Sequence, residues 1–430
     1  MDKNRIATQM RRLTLIGLCA LLLGILSLGS VVVAQDATDV LVWSMGYSGT
    51  YDDILVERFN EAHDDVNIVY EDVLTGDFTE NNQKVRVAME NAAGPDVLGG
   101  VDTGANLQAL VATGQVRDLT EYYRESGLID RIPDNLLAQV TVEGRIYAIP
   151  QNMESVGIFY NKDAFAELEL EVPTSFEEYI AVLEAVKDAG HYGYTMGLAG
   201  GWPSALMASM FMYSSAGSEY IDVLSGTQPW TECDNCLDGL NAFYGMVANG
   251  YANPEPLGID YNQSLDLFYQ GINLMVLNGP WFIDDANAAN PDFEIGFFYL
   301  PAVNANTDIK TLGGIGGSLI VAEYADVDAA FKLVDWLTTE ELAVQTLRDV
   351  AVLPAFSITV PEDIPPLYYQ IASETAANVD KIGFWPVTYL PPKVFGDMNQ
   401  IVQGMIGGML SPEELLSEMQ KTHSTYLAEN

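Results

Sequence analysis

The sequence predicts an α/β protein with two lobes, and three observations support this prediction. Strand patterns alternate with helix patterns along the chain, as in a parallel sheet covered by helices. The 430 residues suffice for two or three domains, each with its own core. Extended segments at residues 146–149 and 156–160 are separated by Pro150 and a mostly polar run, and proline removes a donor from a strand ladder. We expect the chain to pass between lobes here, with Glu154 beside the cleft.

Short apolar or alternating segments predict the strands. Residues 40–43 form an apolar strand that begins the folded chain, and Val66, Ile68 and Tyr70 have the two-residue period of the next strand. A turn at residues 93–96 leads into another. The remaining strands are predicted at residues 146–149, 156–160, 272–277, 293–300 and 313–321.

Apolar residues at helical spacing, preceded by short polar residues that can cap a helix, predict the helices. Thr174 and Glu177 have the spacing of a capping box, Asn161 and Asp326 are candidate caps, and Ser411 precedes a proline at a helix start. The principal predicted helices are residues 51–62, 80–91, 107–112, 237–247 and 261–269, with others after Asn161, Thr174, Asp326 and Ser411.

The first 34 residues have the pattern of an export signal. Four basic residues precede an apolar run at residues 13–33, and Ala34 ends a small-residue pattern that predicts cleavage before Gln35. The alternative is an uncleaved membrane anchor, since the run reaches the ~20 residues that a span requires. Cys19 lies inside this run, so we expect no lipid anchor. The protein is therefore expected to be periplasmic or extracellular.

The composition excludes two classes of protein. A formal net charge of −41 with only 19 basic residues argues against nucleic-acid binding, which needs clustered Lys and Arg. A hydrophobic content of 49% and 10% aromatic residues exclude a disordered chain. The acidity favours solubility and does not specify a fold.

Cys233 and Cys236, in the sequence C-D-N-C, are the two cysteines beyond the export signal. An even number in an exported protein favours a local disulfide, here expected to hold a surface loop. Such a pair can also be a redox site or half of a zinc site. No metal is predicted, because His63, His191 and His423 are not in a paired spacing.

Several motifs occur in an order that carries a family resemblance. They are Val42-Trp43, Ala93-Gly94-Pro95-Asp96-Val97, Ile146-Tyr147-Ala148-Ile149-Pro150, Phe159-Tyr160-Asn161-Lys162-Asp163, Phe268-Tyr269-Gln270-Gly271, Asn278-Gly279-Pro280-Trp281 and Gly313-Gly314. With these motifs the chain resembles the family 1 extracellular solute-binding proteins, the maltose-binding-like receptors of ABC importers.

The resemblance implies a type II periplasmic-binding-protein fold with a ligand cleft and a hinge of several segments. The crossings fall near residues 153–155, 313–315 and 350–353. The N-terminal lobe would then comprise residues 35–152 and 314–350, and the C-terminal lobe residues 153–313 and 351–430. Hinge motion would close the lobes on a ligand, and the closed form would dock as a monomer on the permease subunits.

Candidate ligand-binding aromatic residues follow from the chemistry of sugars. A sugar offers C–H faces to flat rings and hydroxyl edges to polar groups in a concave site. Trp281 is the first candidate, because the resemblance places the ring of N-G-P-W in the cleft. Trp202 follows two glycines in a loop-like segment. Trp43 and Trp385 complete the set, and core packing remains the alternative for Trp43.

Two acidic residues and one glycine complete the candidate site. By resemblance, Glu154 matches a hinge carboxylate that accepts hydrogen bonds from ligand hydroxyls, and Asp102 takes the place of a ligand-binding aspartate. The alternatives are a solvated loop glutamate and a helix cap. Gly313 lies at a predicted hinge crossing, where a plain strand-edge turn is the alternative. Gly99 and Gly100 depart from the pattern of maltose binders, which argues against maltose.

The predicted function is capture of a sugar or oligosaccharide for an ABC importer, without chemistry and without a cofactor. Neither a nucleotide-binding G-x-G-x-x-G ahead of a helix nor H-E-x-x-H occurs in the sequence. A secreted glycoside hydrolase with paired carboxylates is one alternative. A binding protein for a cationic solute such as a polyamine is another, and a sensor that signals the loaded state is a third.

Overall fold

The computed structural model describes residues 37–45, 49–73 and 78–429. The predicted export signal, residues 1–34, lies outside the described residues.

Strands are numbered here in chain order and fall in three sheets of the described chain. Their bounds are β1 Thr38–Val42, β2 Val66–Tyr70, β3 Val97–Val101, β4 Thr141–Val142, β5 Arg145–Ile146, β6 Ile149–Ser155, β7 Gly157–Asn161, β8 Met275–Asn278, β9 Ile295–Phe298, β10 Thr311–Val321, β11 Leu353–Pro354 and β12 Ile382–Phe384.

Helices cover the sheets, and several begin at side chains that the sequence offers as caps. Asn161 and Asp326 accept the backbone N–H three residues on, as predicted. Ser175, one residue after the predicted Thr174, caps its helix. The α-helices are Gly49–Ala62, Phe78–Glu90, Ala105–Val111, Thr120–Glu125, Asp134–Gln139, Lys162–Glu167, Phe176–Asp188, Trp202–Ala216, Ser218–Leu224, Asp234–Ala248, Tyr261–Tyr269, Phe282–Ala289, Val327–Leu337, Glu340–Val350, Pro366–Ala377, Pro386–Tyr389, Pro392–Ile406 and Pro412–Glu429.

The largest sheet has the strand order β11-β6-β10-β3-β1-β2, with β12 also paired to β10. Strands β1, β2 and β3 are parallel, as the strand–helix alternation predicts. In the same sheet β10 is antiparallel to β3 and to β6, and β11 is antiparallel to β6. In the sheet β8-β7-β9 the strand β7 is antiparallel to both neighbours. The prediction of parallel pairing was wrong for all of these pairs. Strands β8 and β9 are joined through the helix Phe282–Ala289, but the earlier strand β7 lies between them and runs the other way. Alternation along the chain does not reveal such an insertion.

The buried apolar residues form two large cores and a smaller third one. The first core takes residues from 40 to 153 and from 315 to 343, together with Ala355, Phe356 and Ile382. The second takes residues from 156 to 312 and from 390 to 419. Alternate residues of β7 face different cores, since Ile158 packs in the second and Phe159 in the third. The cores change between residues 153 and 156 and between 312 and 315, which gives the two-lobe fold.

The exact lobe limits given above remain a prediction. Ala355, Phe356 and Ile382 belong to a segment assigned to the C-terminal lobe, and they pack in the first core.

The three predicted crossing segments lie side by side in the large sheet. Met153 of β6 pairs with Ile315 of β10 on one side and with Leu353 of β11 on the other. The predicted interruption at Pro150 was wrong, because β6 runs through it from Ile149 to Ser155. Opposite Pro150 the register of β10 shifts between Gly317 and Ser318, and a bulge is where a strand tolerates proline.

Cys233 and Cys236 form the predicted disulfide. Both are buried in the second core, so the expectation of a surface loop was wrong. Cys233 caps the helix Asp234–Ala248, and its Sγ accepts a hydrogen bond from the backbone N–H of Cys236. The disulfide therefore joins the cap to the first turn of a core helix.

Candidate functional site

Two of the predicted acidic residues face each other at the large sheet. Asp102 directly follows β3, and Glu154 lies on β6, with β10 between these strands. Both are half-buried. The pKa of each carboxyl group is raised to about 7, mainly by burial, and the charge of Asp102 contributes to the rise for Glu154. The structure thus brings together two carboxyl groups that are 52 positions apart in the sequence.

Asn152 and Gly316 position the carboxyl group of Glu154. The side-chain amide of Asn152 donates a hydrogen bond to Glu154 Oε1 at 2.9 Å. The carboxyl group lies against Gly316, where an added Cβ would stand 2.2 Å from Glu154 Cδ. Glycine is required because any side chain at position 316 would occupy this space.

Four aromatic side chains form a continuous row, which we call the aromatic row: Trp202, Tyr261, Trp281 and Trp385. The centroid of Trp281 is 6.3 Å from that of Trp202 and 6.0 Å from that of Trp385. Trp202, at the first position of its helix, is 40% exposed and lies 5.0 Å from the ring of Tyr261. The row joins three tryptophans that the sequence analysis selected separately.

Tyr261 holds the middle of the row in place. Its hydroxyl oxygen accepts hydrogen bonds from Trp281 Nε1 at 3.2 Å and from Asn278 Nδ2 at 2.8 Å. Burial raises the pKa of this phenol to about 12, so it keeps its proton at neutral pH. With two bonds accepted, the hydroxyl hydrogen is left to donate to a ligand.

The aromatic row ends beside Asp102 and Glu154, which we call the carboxyl pair. Trp385 Nε1 donates a hydrogen bond to the carbonyl of Ile315 at 3.0 Å. Its ring lies against Gly314, which pairs with Glu154 across the sheet. Gly314 has a φ of 127°, a region that favours glycine.

Gly313 and Trp43 are both buried, and their role in ligand binding stays a prediction. Gly313 is buried, and an added Cβ there would stand 2.2 Å from the backbone oxygen of Glu154, so this glycine serves close packing of the crossing strands. Trp43 is 7% exposed in the first core and donates a hydrogen bond to Glu71 at 3.2 Å. It does not join the aromatic row.

The segment after Asp102 contacts the short helix after Trp385. The hydroxyl oxygens of Thr103 and Thr388 are 3.4 Å apart. Gly104 has a φ of 68°, and an added Cβ would stand 2.0 Å from the carbonyl oxygen of Thr388. Thr103 extends from a strand of the first core, whereas Leu390, just beyond Thr388, packs in the second. The two lobes therefore contact each other beside the carboxyl pair.

Sequence reasoning missed Tyr261, Asn152 and Gly316. Tyr261 follows Asp260, which forms a capping box with Gln263, so the helix start was readable. The sequence did not show which side of that helix faces the cleft. Asn152 lies in the segment predicted as a polar connection, and its burial follows only from the pairing of β6.

A cavity of about 500 Å³ lies elsewhere, along β9 and the helix Pro366–Ala377. None of the predicted site residues lines it.

Fold and site together define a two-lobed binding protein with a site at the crossing strands. The sequence profile of the bacterial extracellular solute-binding proteins matches residues 44–344, and the chain belongs to this family. It is accordingly a binding protein and not an enzyme.

Named relatives are similar in sequence, and solved structures share the fold. The chain is 24% identical over 369 residues to a multiple sugar-binding protein of Streptococcus mutans, covering 80% of this chain and 83% of the relative. It is 25% identical over 307 residues to a maltotriose-binding protein of Pyrococcus abyssi, covering 70% and 63%. A chitin oligosaccharide binding protein superimposes with a TM-score of 0.79 at 22% identity, covering 91% of this chain and 99% of the other. RafE in complex with raffinose superimposes with a TM-score of 0.73 at 18% identity, covering 90% and 99%.

Within the described ranges, no helix combines the length and the hydropathy that crossing a bilayer requires.

Proposed function

We propose that this protein captures a sugar or oligosaccharide outside the cytoplasm and delivers it to the permease of an ABC importer. The observation that carries this proposal is the aromatic row from Trp202 to Trp385, which ends at Asp102 and Glu154. The row offers flat apolar faces to the C–H surfaces of sugar rings, and the carboxyl pair offers acceptors to hydroxyl groups.

Delivery requires export and a two-state hinge. The proposal includes cleavage of residues 1–34 before Gln35, closure of the lobes about the crossing strands, and docking of a closed monomer on the permease. The contact of Gly104 with Thr388 supports closure near the site, because it joins the two lobes beside Asp102.

A thermal-shift screen of the mature chain, residues 35–430, against neutral mono-, di- and trisaccharides tests the proposal. A binder stabilises the folded state, so its melting temperature rises with sugar concentration. Chromatography of the incubated sugar should show no new product. Trp281→Ala should lose the shift, whereas Tyr369→Ala, which removes an exposed ring on the helix Pro366–Ala377, should keep it. The proposal is contradicted if neither these neutral sugars nor their amino forms shift the melting temperature.

A polyamine is the second candidate ligand, and one observation favours it. Asp102 and Glu154 lie together without a basic partner among the described residues. Spermidine belongs in the same screen. A shift with spermidine and none with any sugar would assign the protein to cationic solutes.

A further inference from the structure

Among the residues that the structure describes, no basic side chain pairs with Asp102 or Glu154. Asp102 receives one side-chain hydrogen bond, from Asn106 at 3.5 Å, and Glu154 receives one from Asn152. The ion pairs among the described residues all lie elsewhere. Two like charges held together at a half-buried site disfavour their own ionisation. A cation placed between them would remove that repulsion.

Asn152 adds an unsatisfied acceptor to the same place. It is 3% exposed, its amide nitrogen is used by Glu154, and its Oδ1 has no hydrogen-bond partner within the described structure. A buried polar atom without a partner is unfavourable unless a ligand or water completes it. When both carboxyl groups are ionised, the free atoms of Asp102, Glu154 and Asn152 are thus all acceptors.

The acceptor atoms of Asp102, Glu154 and Asn152 indicate which chemical group of a ligand would pair with them. A hydroxyl group supplies one hydrogen and brings lone pairs of its own, whereas an ammonium group supplies three hydrogens, no acceptor and a positive charge. The ring of Trp385 packs against Gly314 of β10, the strand that is paired with β6. An indole face attracts a cation within about 6 Å of its centroid.

We propose that the sugar bound by this protein carries a protonated primary amine, seated between Asp102 and Glu154 within reach of Asn152 Oδ1. The remaining rings of the sugar lie along the aromatic row toward Trp202. The inference rests on the proposed function and names the class of its ligand as amino sugars.

Calorimetry with matched pairs of sugars tests this. Glucose, galactose and mannose are each compared with their 2-amino forms, glucosamine, galactosamine and mannosamine. In a second series, the β-1,4-linked dimer of glucose is compared with the β-1,4-linked dimer of glucosamine and with the N-acetylated form of that glucosamine dimer. At pH 7 and low salt, the free amine should bind at least tenfold tighter than its neutral and N-acetylated counterparts. Raising the salt concentration should weaken binding of the amine and leave neutral sugars unchanged.

Variants assign the preference to the carboxyl pair. Glu154→Gln and Asp102→Asn should each reduce the preference for the amine to about twofold or less, as judged on variants whose unliganded melting temperature shows a folded protein. Glu61→Gln, an exposed substitution on the helix Gly49–Ala62, should preserve the full preference. The salt dependence of the unmodified protein shows separately that a charge interaction underlies the preference.

Each result distinguishes the inference from the proposed function. Neutral sugars that bind as tightly as their amino forms overturn the inference and leave sugar binding intact. An amine preference that survives both carboxyl variants also overturns it. If no sugar of either kind binds, both the inference and the proposed function fail.

Discussion

Trp385 donates its indole N–H to the backbone carbonyl of Ile315 at 3.0 Å. Ile315 belongs to β10 and pairs with Met153 of β6, so this hydrogen bond fixes one end of the aromatic row to the crossing strands. A change of angle between the lobes must therefore act on a ring that we propose to contact the ligand. This hydrogen bond is one of the contacts that join the proposed site to the strands about which we propose that the lobes close.

Trp385→Phe tests that coupling. The variant keeps an aromatic ring and loses the donor, and a neutral hydrogen bond contributes about 0.5–1.5 kcal/mol. We expect sugar affinity to fall about threefold to tenfold because the ring is no longer held in place, and the unliganded melting temperature to fall by a few degrees because this hydrogen bond also forms without ligand. Calorimetry and a melting scan measure the two quantities. Trp202→Phe is the control and should cost less than twofold, because Trp202 contacts Tyr261 and Trp281 through its rings. Equal losses in both variants would remove the bond to Ile315 from the explanation.

Trp281→Ala removes the centre of the aromatic row. It deletes a ring between Trp202 and Trp385 and the hydrogen bond to Tyr261. We expect at least a tenfold loss of sugar affinity, measured by calorimetry. Trp281 is half-buried at the second core, so circular dichroism should show the unliganded fold intact. An affinity that does not change would exclude this ring from the site.

Gly316→Ala tests the position of Glu154. The new methyl group would stand 2.2 Å from Glu154 Cδ, so the carboxyl group has to move. We expect at least a tenfold loss of sugar affinity by calorimetry. Gly396→Ala is the matched control, because an added Cβ there has open space within the helix Pro392–Ile406. It should leave affinity unchanged and stabilise the fold by about 0.5–1 kcal/mol. A similar affinity in the Gly316 variant would contradict the assigned position of Glu154.

The pH dependence of stability should report the carboxyl pair. Burial and the neighbouring charge raise the pKa of Glu154 to about 7 in the folded protein, above the value of about 4.3 in an unfolded chain. The folded state then binds the proton more tightly, so the stability from this group is complete below pH ~4 and is lost as the pH rises through ~7. Glu154→Gln should raise the unliganded melting temperature by about 2 °C at pH 8, and the rise should vanish near pH 4.

Asp102 shares this titration, because its charge raises the pKa of Glu154. Asp102→Asn should therefore shift the melting temperature in the same direction and reduce the effect of Glu154→Gln in the double variant. Melting scans between pH 4 and 8 measure both. If the melting temperatures of Glu154→Gln and the unmodified protein differ by the same amount at every pH, the carboxyl pair does not titrate as proposed.

The disulfide should contribute to stability and not to binding. In the chain-entropy model, a loop as short as that between Cys233 and Cys236 stabilises by about 2 kcal/mol. The double variant Cys233→Ser, Cys236→Ser keeps an oxygen acceptor at the helix cap. We expect a lower melting temperature and an unchanged sugar affinity, since neither cysteine contacts the aromatic row or the carboxyl pair. A changed affinity would show that the second core transmits strain to the site.

Local sequence patterns predicted most of the secondary structure and several of the candidate site residues. The helix Tyr261–Tyr269 has the predicted bounds, and Asn161 and Asp326 cap the helices expected of them. These features depend on hydrogen bonds within three or four residues, which a sequence displays directly. Pro150 shows the limit of such local patterns. It was predicted to interrupt the strand, but β6 continues through it, and the register of the partner strand β10 shifts at this point.

The sequence by itself determined the two-lobed α/β class, the family resemblance and the residue types of the site: indole rings, two acidic residues and a glycine-rich crossing. The tertiary structure decided which of them meet. It placed Trp202, Trp281 and Trp385 in one row with Tyr261, set Asp102 against Glu154, and sent Trp43 and Gly313 into packed interiors. The physical reason is that these contacts join segments up to about two hundred residues apart, and strand order and register, which no local pattern encodes, bring such segments together.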